Sequence, residues 1–289
     1  MSKKIILITG ASSGIGKETA LTLAKEDYQL IIHGRNVART KEVYDEIIAT
    51  GNNDVTMLTA DFSLMSEVAR FAQEVKHKVD HLDVLYNNAG GQFGIEREVT
   101  EEGHEKTFAI NMLAPFLLTK LLLPLLEKSD SARIVTQSSE SYQQGGEPLL
   151  DDVELENHYD FGKAYGLSKL YVWWLMREFD KQLKEKGVNN ITVNSVEPGT
   201  ALDTGLQRVS GQIPEMKKLM DQYKQYSSTI PEAAETGLYM ITSPAVEGIS
   251  GKFYGDKKEK DIEGKWYSKS GQKQIWDYCM KVCQPFLKG

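Results

Sequence analysis

Cysteine is scarce in this chain, which has only Cys279 and Cys283 among 289 residues. So few thiols exclude a small disulfide-stabilised scaffold, and we expect two reduced thiols on one helix face of a cytosolic protein. Groups of residues with the spacing of metal ligands are equally scarce. His77 and His81 have a ligand-like spacing, but no carboxylate or thiolate pattern completes a site beside them. The sequence therefore predicts no metal centre.

Basic residues are too few to give the chain a positive charge. The 34 Lys and Arg residues are outnumbered by 41 Asp and Glu residues, so the net charge is −7 at pH 7. An acidic chain repels a phosphate backbone unless it carries a local basic stripe, and this sequence has none. We therefore predict no nucleic-acid partner.

Long hydrophobic runs are also missing. The longest strongly apolar run, Phe116–Leu126, has 11 residues and contains Lys120, whereas a membrane-spanning helix needs about 20. The apolar stretch Ile5–Ile8 near the N-terminus is too short for a signal sequence. Hydrophobic residues make up 40% and charged residues 26% of the chain, which is typical of globular proteins. We expect a cytoplasmic protein that has no membrane partner.

Short apolar runs alternate with longer amphipathic stretches along most of the chain. Runs of Ile, Val and Leu without polar alternation predict strands that are buried on both faces, as in a parallel sheet covered by helices. The predicted strands are Lys4–Ile8, Leu30–His33, Val55–Leu58, Leu82–Tyr86, Arg133–Val135, Ile191–Val196 and Ile249–Tyr254. The predicted helices are Thr19–Lys25, Val37–Ala49, Ser66–Val79, His104–Glu127, Ala164–Lys186 and Pro231–Ile241. The fold class is therefore α/β, a single-domain doubly wound (Rossmann-type) parallel sheet of about seven strands with helices on both faces.

Two long connections, residues 140–160 and 200–229, each follow a predicted strand. Open α/β folds place their ligand-binding loops at such points. We assign residues 1–255, including both loops, to one domain. Residues 256–289 are expected to form a C-terminal extension that packs on the same domain.

The first predicted strand ends in a glycine-rich turn, Thr9–Gly16, with the pattern T-G-x-x-x-G-x-G. Such a turn between strand and helix lets backbone N–H groups and the positive helix end approach a pyrophosphate. Gly10 permits the tight turn, Gly14 removes a side chain where the phosphate comes close, and Gly16 lets the helix pack on the strand. The turn predicts that the domain binds a dinucleotide.

The second predicted strand ends in His33-Gly34-Arg35-Asn36. A carboxylate at this point would bind the adenosine ribose of NAD(H), and none is present. Arg35 instead offers a guanidinium that binds a 2′-phosphate, with Gly34 leaving room and Lys17 or Arg39 as helpers. The sequence therefore favours NADP(H) over NAD(H).

Tyr165 and Lys169 form a Y-x-x-x-K pattern at the start of a predicted helix, where positions i and i+4 share a face. A free phenol titrates near 10, and acid–base chemistry at neutral pH requires a pKa about three units lower. A unit charge about 4 Å away supplies roughly that effect. We predict that Lys169 lowers the pKa of Tyr165.

Taken together and in this order, the motifs resemble those of the short-chain dehydrogenase/reductases. The resemblance adds Asn87–Gly90 after the fourth strand, serines after the fifth and Pro198-Gly199 after the sixth, and it covers about residues 1–255. The segment Ser243–Tyr254 and the 26 positions from Ser139 to Tyr165 are most similar to the retinol dehydrogenase-like group.

The resemblance implies roles for the catalytic residues. Tyr165 would be the general acid/base, and Lys169 would lower its pKa and hold the nicotinamide ribose. Ser139 would hydrogen bond the reacting carbonyl oxygen, with Ser138 as the second candidate. Asn111 would anchor a water in a proton relay, or would be a purely structural buried amide.

The resemblance also implies a set of cofactor-binding residues. Asp61 would contact the adenine ring, and Asn88 and Gly90 would line the cofactor. Thr200 and Thr204 are both candidates for the contact with the nicotinamide amide. The full set is Gly10, Ser12, Ser13, Gly14, Ile15, Gly16, Arg35, Asp61, Phe62, Asn88, Ala89, Gly90, Tyr165, Lys169, Pro198 and Gly199.

The expected function is an NADP(H)-dependent oxidoreductase that acts on CH–OH donors. It would move hydride between nicotinamide and a carbonyl/alcohol carbon of a small, largely apolar substrate. One alternative is a non-catalytic protein that binds or senses NADP(H). Another is a lyase or epimerase that uses bound NAD as a catalyst, whose glycine motif is usually spaced differently.

A homodimer is also expected. The stretch Asn111–Leu126 is leucine-rich around the whole helix, which is more than one buried face requires. The resemblance implies pairing through this helix and the Y-x-x-x-K helix, where Leu170–Trp174 adds apolar area.

Overall fold

A computed structural model describes residues 3–199, 211, 213–223, 227–261 and 266–287. Within these residues, eight strands form a single sheet. They are β1 (Lys4–Ile8), β2 (Tyr28–Gly34), β3 (Val55–Thr59), β4 (Val84–Asn87), β5 (Ala132–Gln137), β6 (Ile191–Val196), β7 (Phe253–Gly255) and β8 (Lys258–Glu259). Their order is β3-β2-β1-β4-β5-β6-β7-β8, and the first seven pair in parallel. Because the order reverses between β1 and β4, a crevice opens at the carboxyl ends of these strands.

Helices cover both faces of the sheet. They are α1 (Gly14–Leu23), α2 (Val37–Ala49), α3 (Met65–Lys78), α4 (Lys106–Phe108), α5 (Ala114–Leu126), α6 (Phe161–Glu185), α7 (Pro214–Tyr223), α8 (Ile230–Thr242) and α9 (Lys269–Cys283). Strand β1 shows the two layers, because successive side chains of a strand point to opposite faces. Ile5 and Leu7 pack with α3, α5, α6 and α9, and Ile6 and Ile8 pack with α1, α2 and α8. The predicted doubly wound α/β fold is confirmed.

The sequence missed one strand and two α-helices of the described chain. Strand β8 has only two exposed, charged residues, and a turn at Asp256 and Lys257, both with positive φ, pairs it antiparallel with β7. Helix α7 lies inside the long connection that followed the sixth predicted strand. Helix α9 begins after Ser268, whose side chain accepts a hydrogen bond from the Gly271 N–H as an N-cap.

The apolar segment that was too short to span a membrane belongs to a longer helix. Together α4, a π-helical turn at Ala109–Leu113, and α5 run continuously through Lys106–Leu126, which is 21 residues with a mean hydropathy of 1.8 over its most apolar part. Among the described residues, only this helix has the length and composition to cross a membrane. In this fold 83% of that part is buried inside the protein, so packing within the core accounts for its apolar composition.

Helix α9 covers part of this leucine-rich region. The indole of Trp276 packs against the rings of Phe116 on α5 and Phe179 on α6, with ring centroids 5.1 and 4.8 Å apart. Cys279 and Cys283 on α9 are buried free thiols, and burial raises the pKa of both. The leucines of α5 that suggested a partner subunit lie buried or half-buried within one chain, namely Leu117, Leu118, Leu121, Leu122, Leu123, Leu125 and Leu126.

Candidate active site

A cleft of about 680 Å³ lies at the carboxyl ends of the strands. Loops that follow β1 to β6 line it, together with the first turns of α6. Every described residue of the predicted catalytic and cofactor-binding sets lines this cleft except Asn111. Thr200 and Thr204, the two candidates for the nicotinamide amide, lie outside the described residues.

The glycine-rich turn after β1 is held against the end of β4. Gly10 has a φ of +68°, which favours glycine, and a Cβ there would lie 2.8 Å from the Ala89 Cα. The Thr9 hydroxyl accepts hydrogen bonds from the Asn88 and Ala89 N–H groups at 2.9 and 3.0 Å. These contacts fix the turn next to the start of α1, where backbone N–H groups are unpaired and the helix end is positive.

His33 is a residue of the site that the sequence analysis missed. Its buried ring stacks on the Phe62 ring, with centroids 3.9 Å apart. Nδ1 lies 3.3 Å from the Gly10 nitrogen and Nε2 lies 3.1 Å from the Ala60 carbonyl oxygen. Burial lowers the pKa of His33 to about 4, so the neutral ring accepts from Gly10 and donates to Ala60. A lone histidine that ends an otherwise apolar strand is the signal that could have identified it.

Protonation of His33 should destabilise the protein in acid. Because its pKa is lower in the folded chain than its ordinary value of 6.5, the unfolded chain takes up a proton first, and stability is lost as pH falls from about 6.5 to 4. The free energy of unfolding, from urea titrations, should fall more steeply over this range for wild type than for His33→Asn. The difference should reach about 3 kcal/mol. Parallel curves would refute a neutral, buried His33.

The end of β2 presents the predicted cation. Arg35 is 60% exposed in its side chain, and its Nη1 lies 3.7 Å from Asp61 Oδ2. Arg39 also lines the cleft. The alternative helper, Lys17, pairs with Glu46 at 2.7 Å and lies outside the cleft lining. The guanidinium groups of Arg35 and Arg39 therefore supply the positive charge at this end of the cleft.

Gly34 has a different role from the one predicted for it. A Cβ at this position would overlap the Thr40 hydroxyl and lie 2.8 Å from the Ser12 Cβ. Gly34 therefore lets α2 and the glycine-rich turn approach β2, and it leaves no room for a larger side chain.

At the opposite end of the cleft, the Ser139 side chain lies beside the Tyr165 phenol and acts to lower its pKa. Ser139 also accepts a hydrogen bond from the Ser141 N–H at 3.1 Å. Ser138 is 1% exposed, and its hydroxyl donates to the Lys169 carbonyl oxygen at 2.9 Å. The structure therefore brings Ser139, and not Ser138, to the phenol.

Lys169 lies beside Tyr165 without bonding its hydroxyl. Its Nζ is 5.7 Å from the centre of the Tyr165 ring and donates to the Gln137 carbonyl oxygen at 3.0 Å. Burial lowers the pKa of Lys169 to about 8, and burial raises the pKa of Tyr165 to about 12 against the opposing effect of Ser139. The predicted lowering of the phenol pKa is therefore wrong for this structure, because desolvation dominates. A phenol that stays protonated at neutral pH can donate a proton.

Asn111 lies behind the cleft in the π-helical turn, a feature often found at functional sites. Its amide donates to the Gly91 carbonyl oxygen at 2.8 Å and to the Ser168 hydroxyl at 3.0 Å, and it accepts from the Gly91 N–H at 2.9 Å. A Cβ at Gly90 would lie 2.9 Å from Asn111 Oδ1 and 3.2 Å from Lys169 Nζ. Asn111 thus positions the 90–91 segment against the lysine.

Residues of the loops after β4 and β5 also line the cleft, and their side chains are mixed in character. They include Gln92, Phe93, Ser141, Gln143 and Gln144. Amides and a hydroxyl beside one aromatic ring can bind both polar and apolar groups. The sequence led us to expect a largely apolar substrate. This part of the lining is more polar than such a substrate requires.

The described residues fit a nicotinamide dinucleotide. A Cβ at Gly14 would meet no protein atom within 4 Å, so the turn presents bare backbone to the cleft. Two arginines stand at one end, and Ser139, Tyr165 and Lys169 stand at the other. Gln137 also lines the cleft, and its buried Nε2 has no hydrogen-bond partner among the described residues. The cleft is thus shaped for a long ligand that has an anionic end.

Comparison with known proteins decides the family. The family model for short chain dehydrogenase matches residues 4–213. The chain belongs to this family. Similar curated proteins include retinol dehydrogenase 14 of Homo sapiens, 34% identical over 96% of this chain and 85% of that protein. Polyprenol dehydrogenase of Homo sapiens is 33% identical over 97% and 84%. The predicted resemblance to retinol dehydrogenases is confirmed.

A solved structure supports the fold of this short-chain dehydrogenase. The Pseudomonas aeruginosa RhlG/NADP active-site complex matches with a TM-score of 0.68 and 24% identity, covering 88% of this chain and 94% of that one. Its description names NADP in the active site of that protein. Family membership makes the chain an oxidoreductase of the dehydrogenase/reductase type with a nicotinamide cofactor.

Proposed function

We propose that this protein is an NADP(H)-dependent reductase and dehydrogenase acting on the carbonyl/alcohol pair of a small substrate. The observation that carries the proposal is the placement of Ser139 beside Tyr165 in a cleft that Lys169 also lines. Two neighbouring hydroxyls can both bind a single carbonyl oxygen. Arg35 and Arg39 at the other end support NADP(H) as the cofactor.

The chain's own residues supply orientation and a proton. The Ser139 and Tyr165 hydroxyls donate hydrogen bonds to the carbonyl oxygen, which stabilises negative charge as it develops there. A nicotinamide held in this cleft, with Lys169 at its ribose, would supply or accept the hydride at the carbonyl carbon. The proton of the Tyr165 Oη passes to the substrate oxygen in reduction and returns from the alcohol in oxidation. The Lys169 Nζ, 5.7 Å from the centre of the ring, places a positive charge near the phenol without outweighing the effect of burial on its pKa.

The substrate class follows less directly from the cleft. Two relatives are named for retinol and for polyprenol, which are apolar alcohols, and this supports a largely apolar substrate. The amides of Gln143 and Gln144 at the cleft add hydrogen-bonding groups beside the reacting centre. We propose an apolar carbonyl compound that carries at least one further polar group.

A non-catalytic protein that senses NADP(H) is the alternative. Such a protein requires the glycine-rich turn and the arginines. It has no use for a serine and a tyrosine that lie side by side in the cleft together with a buried lysine.

The proposed activity is tested by following NADPH absorbance with a panel of ketones and aldehydes. We expect consumption of NADPH with at least one apolar carbonyl compound and a slower reaction with NADH. A reaction without added carbonyl compound gives the background. Tight NADPH binding without turnover across the panel would favour the sensing alternative.

The homodimer stays a prediction, and the leucines that suggested it are covered within one chain. Light scattering decides the question at micromolar concentration. A mass near twice 32.5 kDa supports a dimer, and the monomer mass contradicts it.

A further inference from the structure

A charged bridge from the C-terminal side of the sheet reaches two turns of the active-site cleft. The Lys260 ammonium lies 2.6 Å from Glu140 Oε1 and 2.6 Å from Glu197 Oε1. Lys260 directly follows β8, and its backbone N–H donates to the Phe253 carbonyl oxygen of β7 at 2.8 Å. The β7–β8 hairpin, which no motif of the active site includes, thus brings this lysine next to two turns that line the cleft.

The contact with Glu197 involves a buried carboxylate that the surrounding backbone holds in place. Glu197 is 1% exposed, and its second oxygen accepts from the Gly199 N–H at 2.7 Å, inside the turn of Pro198 and Gly199. A Cβ at Gly255 would overlap both the Glu197 carboxylate and the Lys260 side chain, so β7 must lack a side chain at this point. A buried carboxylate requires a charged partner, because removing the partner leaves the charge uncompensated.

The contact with Glu140 connects Lys260 to the segment that contains Ser139. Glu140 directly follows Ser139 and begins a 3₁₀ helix, Glu140–Gly145. That helix packs closely on α6, where a Cβ at Gly166 would lie 2.5 Å from the Gly145 nitrogen. The position of Glu140 is therefore coupled to Ser139 on one side and to the helix of Tyr165 on the other.

We propose that Lys260 is a positioning residue, which holds the Ser139 turn and the Pro198–Gly199 turn at a fixed separation beside the cleft. The inference rests on the proposed function, since it assigns these turns to the substrate oxygen and to the cofactor. Lys260 acts through Glu140 and Glu197 and does not itself enter the reaction. This role of Lys260 gives the β7–β8 hairpin a function in the site.

The test compares Lys260→Met, which keeps the length and removes the charge, with Lys260→Arg, which keeps the charge. Lys252→Met is the matched control, because Lys252 pairs with Glu259 of the same hairpin at 2.6 Å, away from the cleft. We expect Lys260→Met to lower kcat at least about tenfold, since small displacements of reacting groups cost large factors in rate. Lys260→Arg should restore most of this loss, and Lys252→Met should retain the wild-type kcat.

Two readouts do not depend on turnover. Deuterium exchange at residues 140–145 should rise in Lys260→Met and stay at the wild-type level in Lys252→Met. NADPH affinity, measured by fluorescence, should weaken in Lys260→Met because the Gly199 turn is released. Both can be measured even if no carbonyl substrate turns over, so failure of the proposed function leaves this inference testable.

A double variant distinguishes loss of the proposed contacts from unfolding of Lys260→Met. Lys260→Met combined with Glu197→Gln removes both charges, so it should fold at least as well as the single variant while keeping the fast exchange at residues 140–145. Wild-type kcat, exchange and NADPH affinity in Lys260→Met would overturn the proposal. Equal losses in Lys260→Met and Lys252→Met would overturn it as well.

Discussion

Tyr165→Phe should abolish turnover while leaving NADPH binding nearly intact. The change removes the hydroxyl that donates the proton, but it keeps the ring that lines the cleft. A positioned general acid/base is typically worth at least about 10²-fold in rate, so kcat should fall by that factor or more. Steady-state kinetics and an NADPH binding titration check the two halves of this expectation.

Two further variants help to interpret the kinetics of Tyr165→Phe. They are Lys169→Ala and Tyr159→Phe. Lys169→Ala should weaken both turnover and NADPH affinity, because it removes a buried cation next to the ring. Tyr159→Phe is the matched control, since the Tyr159 hydroxyl donates to the Gly94 carbonyl oxygen at 2.9 Å and lies outside the cleft lining. Retention of a tenth or more of the wild-type kcat by Tyr165→Phe would contradict its role as the acid/base.

Arg35→Ala should shift cofactor preference from NADPH towards NADH. The guanidinium is exposed at the cleft and paired with Asp61 only at 3.7 Å, so it is available to a 2′-phosphate. Loss of charge-assisted hydrogen bonds should weaken NADPH more than NADH by about 1.5–3 kcal/mol. This equals roughly 10- to 150-fold in the ratio of kcat/KM for the two cofactors.

Lys17→Ala is the control for the effect of charge alone, because its ammonium is paired with Glu46 outside the cleft lining. It should leave the ratio of the two kcat/KM values unchanged. Arg35→Ala combined with Arg39→Ala should lower the ratio further. Substituting Gly34 by Asp is a poor test, since a Cβ there overlaps the Thr40 hydroxyl. A ratio that does not move in Arg35→Ala would contradict the argument from charge.

The sequence was most informative where a local rule determines the structure. Strands β1 and β6 and helix α2 begin and end where the apolar pattern predicted. The glycine-rich turn and Tyr165 could be identified because backbone geometry and helical spacing constrain them locally. These rules place residues on elements, and the parallel sheet then brings the ends of those elements together.

Tertiary packing determined what the sequence could not predict. The pKa of Tyr165 depends on burial and on where the Lys169 ammonium is directed, and neither follows from a four-residue spacing. His33 links β2 to the glycine-rich turn, 23 positions away in the chain. Lys260 reaches Glu140 over 120 positions. Such contacts between distant residues become visible only once the sheet order is known.

Transfer of a deuterium label tests the central claim most directly. The protein is incubated with a carbonyl compound and NADPH that carries deuterium at the transferring carbon of the nicotinamide ring. We predict that the label appears at the carbinol carbon of the product and that one NADPH is oxidised for each alcohol formed. A substrate converted without label in the product and without net oxidation of NADPH would contradict the account and favour a lyase or epimerase.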